Sequence, residues 1–421
     1  MSKYKIAFLS YRSDPLSGGQ GIYVYELSKA LKKLGHDIHI FSGPPYPKVP
    51  SEVKFEKIEN LNLFETFNLK DRLKKFLQKG NRDYLDYFEF FVTLIGGFPE
   101  MRTFGARTAK LLIQRGGYDI ILDNQSLSYG ILALQKHFPL IEILHHPITQ
   151  DYKYDLIFSK DIIHRFFRHR WYSFLKMNKF VAPRLKQIIT PSAASKKDIQ
   201  KDFKVLANKI SVIHNGIDLQ VFKPDKNIER KKFKLITVAS ADVPLKGLDT
   251  TIKAMQRVKN SFPEVQLLVI GKPKEEGHTQ RLIKKLGLSD SINFKSNLSK
   301  EDLAKEYQSS SLAIVSSLYE GFCFPAIEAQ ACGTPLISSN IPTLSEVTHG
   351  EAFYFSPEDS EELANLVCNF YKRPDKFQMK ADSALISIEK NFNWDIVALK
   401  FEMAIARTCL LYTSPSPRDK R

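Results

Sequence analysis

The stretch Ser316–Thr334, SSLYEGFCFPAIEAQACGT, follows a short apolar run, Leu312–Val315, that is typical of a buried parallel strand. Gly321 favours a tight turn, and Pro325 is suited to the first turn of a helix. The small-residue segment AIEAQA then predicts a closely packed helix that stops at Gly333. The stretch therefore predicts a strand, an exposed loop and a helix N-terminus in succession.

Two carboxylates of this stretch, Glu320 and Glu328, lie eight residues apart. We expect Glu320 on the loop and Glu328 in the first helical turn, with both facing one crevice. Open α/β sheets bind their ligands at the carboxyl ends of the strands, where helix N-termini favour an anion. Such a pair would suit a sugar diol and a further hydroxyl, whereas two isolated glutamates are more often a surface charge and a helix-dipole charge.

The sequence of residues 320–328, EGFCFPAIE, resembles the E-x7-E element of the retaining, nucleotide-sugar-dependent glycosyltransferases of family 4. The segment NGID at 215–218, followed by FKP at 222–224, resembles the interdomain segment of the same family. The resemblance implies an α/β fold of the GT-B type, with two Rossmann-like, doubly wound domains facing a cleft. It also implies that the C-terminal domain holds a nucleoside-diphosphate sugar, that the N-terminal domain binds the acceptor, and that transfer retains the anomeric configuration.

The chain has 421 residues, which exceeds a single hydrophobic core and indicates two domains. Strands alternate with helices through both halves, as expected for parallel sheets. We predict an acceptor domain at 1–213 and a donor domain at 214–393, and the resemblance adds a helix at 394–407 that packs back on the first. The segment 408–421 contains Ser-Pro-Ser-Pro and is predicted to be a non-native or disordered tail.

The formal net charge of +16 points to an anionic partner: nucleic acid, a membrane surface or phosphorylated small molecules. Nucleic acid is disfavoured because the basic residues concentrate on one helix without a nucleic-acid-binding motif. The four cysteines form no C-x-x-C pair, which predicts a cytoplasmic protein. The N-terminus reads as a strand rather than a signal peptide, and no apolar run is long enough to span a bilayer.

The segment Ile162–Leu185 has apolar and aromatic residues at helical spacing with arginines and lysines between them, and predicts one amphipathic helix. A basic, aromatic helix can lie on an anionic membrane as a peripheral anchor. The alternative, which we favour, packs the apolar stripe into the N-terminal domain and leaves the basic face in solvent. Membrane binding and packing into the domain are compatible if the basic face of the helix contacts lipid headgroups.

A loop with Gly18 and Gly19 separates the first strand, Lys5–Ser10, from a helix at Gly21–Leu34. The loop lacks the G-x-G-x-x-G spacing, so a nicotinamide site is disfavoured. The two glycines permit close backbone approach to a phosphate at a helix N-terminus, although a flexible turn explains them equally well. A Gly-Gly loop at this place also resembles the family 4 pattern.

Polar residues follow two further strands of the first half. Asp123 and Asn124 come at the end of YDIILD, and His145 and His146 follow LIEIL. Polar residues at strand carboxyl ends belong to the ligand crevice of this architecture, although a histidine can also cap a strand structurally. The family has a single histidine here that contacts the donor sugar, and His145 is the better match. Asp123, Asn124 and His146 are predicted to bind the acceptor.

In the second half, the strand Lys234–Ser240 leads to Lys246 and Gly247 at the start of a helix. A lysine at a helix N-terminus is a point charge placed for a diphosphate. Family members usually carry an arginine a few residues earlier. Here 240–242 is Ser-Ala-Asp, so Lys246 is expected to act without a partner cation.

The resemblance assigns catalytic roles to His145, Lys246 and Glu320. Glu320 would orient the transferred sugar and Glu328 would accept the ribose hydroxyls. The full predicted donor set is Gly18, Gly19, Lys246, Gly271, Glu320, Gly321, Phe322, Cys323, Phe324 and Glu328. No Asp-x-Asp pair stands at a strand end, so neither a metal nor another cofactor is expected.

Two other classes of function remain open: a GT-B epimerase or phosphorylase, and a non-enzymatic protein that binds a sugar nucleotide or a membrane. The acceptor of a transferase would be a carbohydrate or a lipid-linked sugar of a cell-surface polysaccharide, lipopolysaccharide or glycolipid. The sequence names neither the sugar nor the base.

Overall fold

The computed structural model describes residues 2–13, 19–64, 66, 68–159 and 161–413. The chain divides into two compact units. The N-terminal unit comprises the chain up to Pro191, Ser195–Ile213 and the chain from Trp394 onwards. The C-terminal unit comprises Ser192–Ala194 and His214–Asn393.

In the described part of the chain, the N-terminal unit has a seven-stranded parallel sheet in the order β3-β2-β1-β4-β5-β6-β7. Its strands are β1 (Lys5–Ser10), β2 (Asp37–Ser42), β3 (Lys54–Lys57), β4 (Ile120–Asn124), β5 (Leu140–Ile143), β6 (Ile188–Thr190) and β7 (Ile210–Val212). Its helices up to Val181 are α1 (Gly19–Lys33), α2 (Leu69–Gln78), α3 (Tyr84–Leu94), α4 (Glu100–Arg115), α5 (Tyr129–His137), α6 (Thr149–Ile157), α7 (Ile162–Trp171) and α8 (Leu175–Val181). The helix α9 (Ala193–Phe203) follows β6.

The sheet of the C-terminal unit has six described strands, all parallel, in the order β10-β9-β8-β11-β12-β13. They are β8 (Lys231–Val238), β9 (Gln266–Ile270), β10 (Ile292–Lys295), β11 (Ser310–Val315), β12 (Leu336–Ser339) and β13 (Phe353–Phe355). The helices are α10 (Leu248–Ser261), α11 (His278–Lys285), α12 (Lys300–Gln308), α13 (Phe324–Ala331), α14 (Pro342–Val347), α15 (Ser360–Lys372) and α16 (Pro374–Asn391). The last helix of the chain, α17 (Trp394–Thr413), belongs to the N-terminal unit.

Central strands of both sheets are buried along their whole length, as the near-continuous apolar runs predict. In each sheet the strand order reverses beside the first strand, at β1 and β4 in one unit and at β8 and β11 in the other. Ligands of doubly wound sheets bind outside the carboxyl ends of the strands at this reversal. The predicted α/β class with two Rossmann-like sheets is confirmed.

The segment 162–185 is not one helix, which corrects the sequence-based prediction. After α7 the chain makes a 3-10 turn at Tyr172–Phe174, continues as α8, and ends in a second 3-10 turn at Ala182–Arg184. The break separates two environments. The second half packs Phe174, Leu175, Val181 and Leu185 into the core, whereas Ile162, Ile163, Phe166 and Phe167 on α7 are exposed. The packed apolar stripe that we favoured is therefore wrong for α7.

The helix α17 also differs from the prediction, because it continues to Thr413 instead of ending at 407. Leu410 and Leu411 are good helix formers, and their neighbours contact the rest of the N-terminal unit. Tyr412 Oη donates a hydrogen bond to the Lys136 carbonyl at 3.0 Å, and Cys409 Sγ lies 3.8 Å from the Asp119 carbonyl. The predicted tail at 408–421 is thus helical in its first six residues, and the Ser-Pro-Ser-Pro part lies outside the described residues.

Residues 54–115, which the sequence predicts to be mostly helical, form the edge strand β3 and three helices, α2, α3 and α4, so that prediction is confirmed. The helix α16 was missed. Among the helices of the described ranges, none is both long enough and apolar enough to cross a membrane.

Candidate active site

The loops after β8 and β11 meet through a lysine and a glutamate. Lys246 Nζ lies 2.7 Å from Glu320 Oε1, and Ser317 Oγ donates a hydrogen bond to the same oxygen at 2.7 Å. The Glu320 carbonyl accepts a hydrogen bond from Thr343 Oγ1 at 2.8 Å. Two of the three predicted catalytic residues therefore lie together at the strand reversal of the C-terminal unit, with Lys246 about one-third exposed.

Gly247 allows the two loops to approach this closely. Its φ of +60° is left-handed, and a Cβ at this position would lie 1.9 Å from the Ser316 carbonyl oxygen. Ser316 Oγ donates to the Lys246 carbonyl at 3.2 Å and accepts from Thr251 Oγ1 at 2.9 Å. A residue with a side chain would be excluded sterically and strained in its backbone. The glycine thus brings the start of α10 against the Glu320 loop.

Two helix N-termini of this region have no side-chain cap among the described residues. They are those of α10, which follows Gly247, and of α13, which follows Cys323. First-turn N–H groups of a helix have no intrahelical acceptor, and the helix dipole favours an anion there. Together with the Lys246 ammonium group, these N-termini form a site with the chemistry that a diphosphate requires.

Some residues between the two glutamates have side chains buried in the core, and others make contacts through their backbone. Phe322 and Cys323 are buried, and Cys323 adopts a left-handed φ of +83° as it caps α13. The Gly321 carbonyl accepts a hydrogen bond from Ser192 Oγ at 2.8 Å, and the Phe324 ring packs against Phe322. Burial raises the pKa of the Cys323 thiol, which keeps it neutral. Contact between these buried residues and a ligand would therefore have to involve their backbone.

Glu328 lies in the second turn of α13 rather than in the first, which corrects the prediction. Its side chain is buried, and Tyr307 Oη donates a hydrogen bond to Oε2 at 3.2 Å. Burial raises the pKa of Glu328 to about 7. The surroundings of the two glutamates thus differ: Glu320 is paired with a cation, and Glu328 shares a buried hydrogen bond with a tyrosine.

The loop after β8, where the family usually carries an arginine, is held by Asp242. Its carboxylate accepts hydrogen bonds from the backbone N–H groups of Lys274 and Thr279, both at 2.9 Å. Gly271 permits the neighbouring loop to approach, because a Cβ there would lie 2.2 Å from the Ala239 carbonyl oxygen. The acidic residue at this place therefore orders the loop, and Gly271 has a steric reason independent of any ligand.

His145 is held by a polar network at the carboxyl ends of β1, β4 and β5. Its Nε2 donates to Asn124 Oδ1 at 2.8 Å, and its backbone N–H donates to Gln125 Oε1 at 3.1 Å. Asn124 Nδ2 in turn donates to Ser10 Oγ at 3.2 Å, and the Tyr23 ring meets the imidazole edge-on at 4.7 Å. Burial lowers the pKa of His145 to about 3. The imidazole is therefore neutral at physiological pH, with its orientation set by Asn124.

The other predicted residues of the N-terminal unit have less direct roles. Asp123 is fully buried and accepts two hydrogen bonds from Ser126, so it orders the loop and is not positioned to contact an acceptor. His146 is partly exposed, and its Nε2 lies 3.0 Å from Asp151 Oδ2. Gly19 is the exposed first residue of α1, and Gly18 lies outside the described residues.

Sequence reasoning missed the residues that support these side chains. Gln125 stands next to two predicted residues and could have been included by that proximity. Tyr23, Tyr307 and Thr343 lie on other helices, and no local pattern connects them with the residues that they contact. Within the described ranges, no cluster of three or more His, Cys, Asp or Glu side chains could hold a metal ion.

Two family models match successive parts of the chain: Glycosyltransferase Family 4 over residues 17–221 and Glycosyl transferases group 1 over residues 220–384. The MMP alpha-(1->4)-mannosyltransferase of Mycolicibacterium hassiacum is 37% identical over 417 residues, which are 96% of this chain and 99% of that protein. The chain belongs to glycosyltransferase family 4. A more distant relative, D-inositol 3-phosphate glycosyltransferase 2 of Catenulispora acidiphila, is 23% identical over 94% of this chain and 92% of its own length.

Solved structures share the GT-B fold of this family 4 protein. Sucrose-phosphate synthase of Thermosynechococcus elongatus superposes with a TM-score of 0.73 at 21% identity, over 98% of this chain and 100% of the other. HepE of Anabaena, solved in complex with UDP-glucose, superposes with a TM-score of 0.67 at 16% identity, over 96% of this chain and 100% of the other. At these identities the likeness is one of fold.

Proposed function

We propose that this family 4 glycosyltransferase transfers a hexose, mannose in the first instance, from a nucleoside-diphosphate sugar to a carbohydrate hydroxyl with retention of configuration. The observation that carries the proposal is the Lys246–Glu320 pair beside the uncapped N-termini of α10 and α13. Mannose is proposed because the relative at 37% identity is named a mannosyltransferase.

The ion pair explains how the donor site would work. A diphosphate offers Lys246 a stronger anionic partner than one carboxylate, so the ammonium group would turn to the phosphates when the donor binds. Glu320 would then be released to accept hydroxyl groups of the transferred sugar. Glu328 would accept the ribose hydroxyls, with Tyr307 fixing its orientation.

Departure of the nucleoside diphosphate creates negative charge at the leaving oxygen. Lys246 and the N–H groups at the starts of α10 and α13 would stabilise that charge without reorganising, which is usually the largest catalytic contribution of a preorganised site. The proposal therefore assigns no step to a divalent metal. His145 would hold a sugar hydroxyl as a neutral hydrogen-bonding group, because its low pKa makes it a weak base.

The helix α7 supports a second part of the proposal, peripheral binding to an anionic membrane. Ile162, Ile163, Phe166 and Phe167 are each more than half exposed, although they are large and apolar. Arginines on the same helix, among them Arg165, would face lipid phosphates while the apolar side chains enter the interface. The free state of all four cysteines supports a cytoplasmic location at such a membrane.

A donor screen tests the enzymatic proposal. Thermal unfolding would be followed with UDP-, GDP-, ADP- and TDP-sugars, and one of them should raise the melting temperature clearly more than the others. Incubation of that donor with a carbohydrate acceptor should yield a product whose new linkage has the donor's anomeric configuration, measured by NMR. Inversion, or free nucleotide formed equally with and without acceptor, would overturn the proposal.

A further inference from the structure

The N-terminal unit contains a cavity of about 330 Å³ between α4, α7 and the segment before α2. Three aromatic rings form its apolar wall. Phe98 and Trp171 have ring centroids 5.0 Å apart, and the Phe64 ring lies 5.6 Å from Trp171. Glu100, the first residue of α4, contributes a carboxylate to the lining. Ligand pockets of proteins have volumes upwards of about 300 Å³ and combine such apolar walls with a few polar groups.

Arg12 stacks against this aromatic wall. Its guanidinium carbon lies 3.3 Å from the centroid of the Phe64 ring, and its Nη2 is 3.6 Å from Glu100 Oε2. Within the described part of the chain, Nε and Nη2 of Arg12 are buried and have no hydrogen-bond partner. Arg12 is not one of the residues that line the cavity, so it supports the Phe64 ring and Glu100 from behind the wall rather than contacting a ligand.

The cavity is connected to the His145 network. The Arg12 carbonyl accepts a hydrogen bond from Ser10 Oγ at 3.2 Å, and the same Oγ accepts from Asn124, which holds His145. Tyr11 contacts Phe98 edge-on at 6.4 Å. Arg12 therefore stands just beyond the carboxyl end of β1, at the strand reversal where a doubly wound sheet binds its ligand.

We propose that this cavity binds a neutral sugar ring of the acceptor glycan, so that the acceptor is an uncharged oligosaccharide rather than a phosphorylated polyol. A sugar has an apolar C–H face for Trp171 and Phe64, and hydroxyl groups that can donate to the Glu100 carboxylate.

The charges of the cavity separate the two acceptor classes. The Glu100 carboxylate would repel a phosphate at this wall. Arg72 is already bound to the Thr66 and Thr93 carbonyl groups, and Arg168 lies 3.3 Å from Asp155. The two arginines that line the cavity are thus engaged with other acceptors, whereas hydroxyl groups need no net charge.

This inference rests on the proposed transferase activity, so its test measures acceptor and donor binding separately on the full-length protein. The acceptor probes are an α-(1→4)-linked mannotriose and D-inositol 3-phosphate, with binding measured by calorimetry and saturation-transfer NMR. The variants are Arg12→Gln and Phe64→Ala. The matched control is Arg102→Gln, because Arg102 also stacks on an aromatic ring, that of Phe88, but Phe88 is not part of the cavity wall.

The wild type and Arg102→Gln should bind mannotriose, and Arg12→Gln and Phe64→Ala should weaken it by about tenfold or more. The donor-induced rise in melting temperature should be the same in all four proteins, which also shows that the variants are folded. Mannotriose binding that is absent, or unchanged in both cavity variants, would overturn the inference, as would tighter binding of D-inositol 3-phosphate. If no nucleoside-diphosphate sugar raised the melting temperature of the wild type, the proposed function itself would instead be overturned.

Discussion

Lys246 Nζ and Glu320 Oε1 are 2.7 Å apart and join the loops that follow two neighbouring strands, β8 and β11. The pair holds the cationic and the carboxylate group of the proposed donor site against each other at the start of α10. A ligand that offers Lys246 a diphosphate and Glu320 a set of hydroxyl groups would satisfy both partners better than they satisfy each other. The expected consequences can be measured.

Replacing Lys246 by alanine should remove the main cationic group of the donor site. We expect the donor-induced rise in melting temperature to disappear and kcat/KM for the donor to fall by about 10²-fold or more, since the loss acts on the departing diphosphate. Lys305→Ala is the control, because Lys305 is an exposed lysine of the same unit with only a surface pair. An undiminished donor effect in Lys246→Ala would contradict the diphosphate site.

Replacing Glu328 by glutamine should change stability and donor binding in opposite directions. Because the folded-state pKa of Glu328 is about 7, the folded protein binds this proton more tightly than the unfolded chain, and the free energy of unfolding falls as pH rises towards and through 7. Glutamine removes that loss. Relative to the wild type, the variant should gain up to about 3 kcal/mol between pH 5 and pH 8, while its donor affinity decreases.

Chemical unfolding at several pH values measures the first effect, and donor titration measures the second. Glu306→Gln is a useful comparison. The Glu306 carboxylate is paired with Lys234, so its neutralisation should lower the free energy of unfolding of the protein. A Glu328→Gln variant with a wild-type pH dependence of stability would show that the glutamate is already ionised in the folded protein.

His145 should contribute to catalysis without titrating in the working range. With a pKa of about 3 it is neutral from pH 5 to pH 9, so the pH–rate profile should contain no inflection from this residue. His145→Ala should lower kcat by about 10²-fold with an unchanged profile shape. Since the unfolded chain binds this proton more readily, the wild type should also lose stability as pH falls below about 6.5, and the variant less so. A decrease in rate at acidic pH that is present in the wild type and absent in His145→Ala would contradict this role.

Membrane binding should depend on the apolar face of α7. The double variant Ile163→Ser, Phe166→Ser should no longer co-sediment with vesicles that contain phosphatidylglycerol, because the apolar area that enters the interface is lost. Ile386→Ser is the matched control, since Ile386 is equally exposed but lies on α16 of the other unit. Binding should also weaken as salt is raised. Equal vesicle binding of wild type and double variant would rule out α7 as the anchor.

Gly247 should be far less tolerant of alanine than Gly287, although both have a left-handed φ, +60° and +67°. A Cβ at Gly287 meets no atom within 4 Å among the described residues, so Gly287→Ala should cost only the backbone strain of about 1–2 kcal/mol. Gly247→Ala adds a collision with the Ser316 carbonyl and should cost at least about 3 kcal/mol. Chemical unfolding measures both. Equal losses of unfolding free energy in the two variants would show that the Ser316 loop can move away from the added Cβ without destabilising the protein.

Much of the geometry of the proposed donor site was predictable because it is built from consecutive residues. The apolar strand, the turn glycine and the helix after Pro325 are local patterns, and so is a lysine beside the glycine that starts α10. Their meeting also followed from the fold class, since β8 and β11 flank the strand reversal. The position of Glu328 was missed by one helical turn, because the start of α13 depends on the left-handed conformation of Cys323 rather than on Pro325 alone.

Residues that act across the chain were not predictable in this way. Asp123 and His145 have the same pattern of a polar residue at a strand end, yet one is buried as a loop support and the other is held by Asn124 and Tyr23. The helical spacing in 162–185 was read as one buried stripe. The structure divides it, because Phe174 and Leu175 pack in the core and Phe166 does not.

Periodicity and turn chemistry depend on neighbours in the chain, and they were enough to specify two parallel α/β units, the ends of their strands, and a lysine and a glutamate suited to a diphosphate sugar. Burial, tautomer and pKa depend on atoms that folding brings in from distant segments. The neutral state of His145, the raised pKa of Glu328 beside Tyr307, and the stacking of Arg12 on Phe64 at a cavity therefore emerged only once the helices had packed on the sheets, since each results from desolvation or contact across the chain.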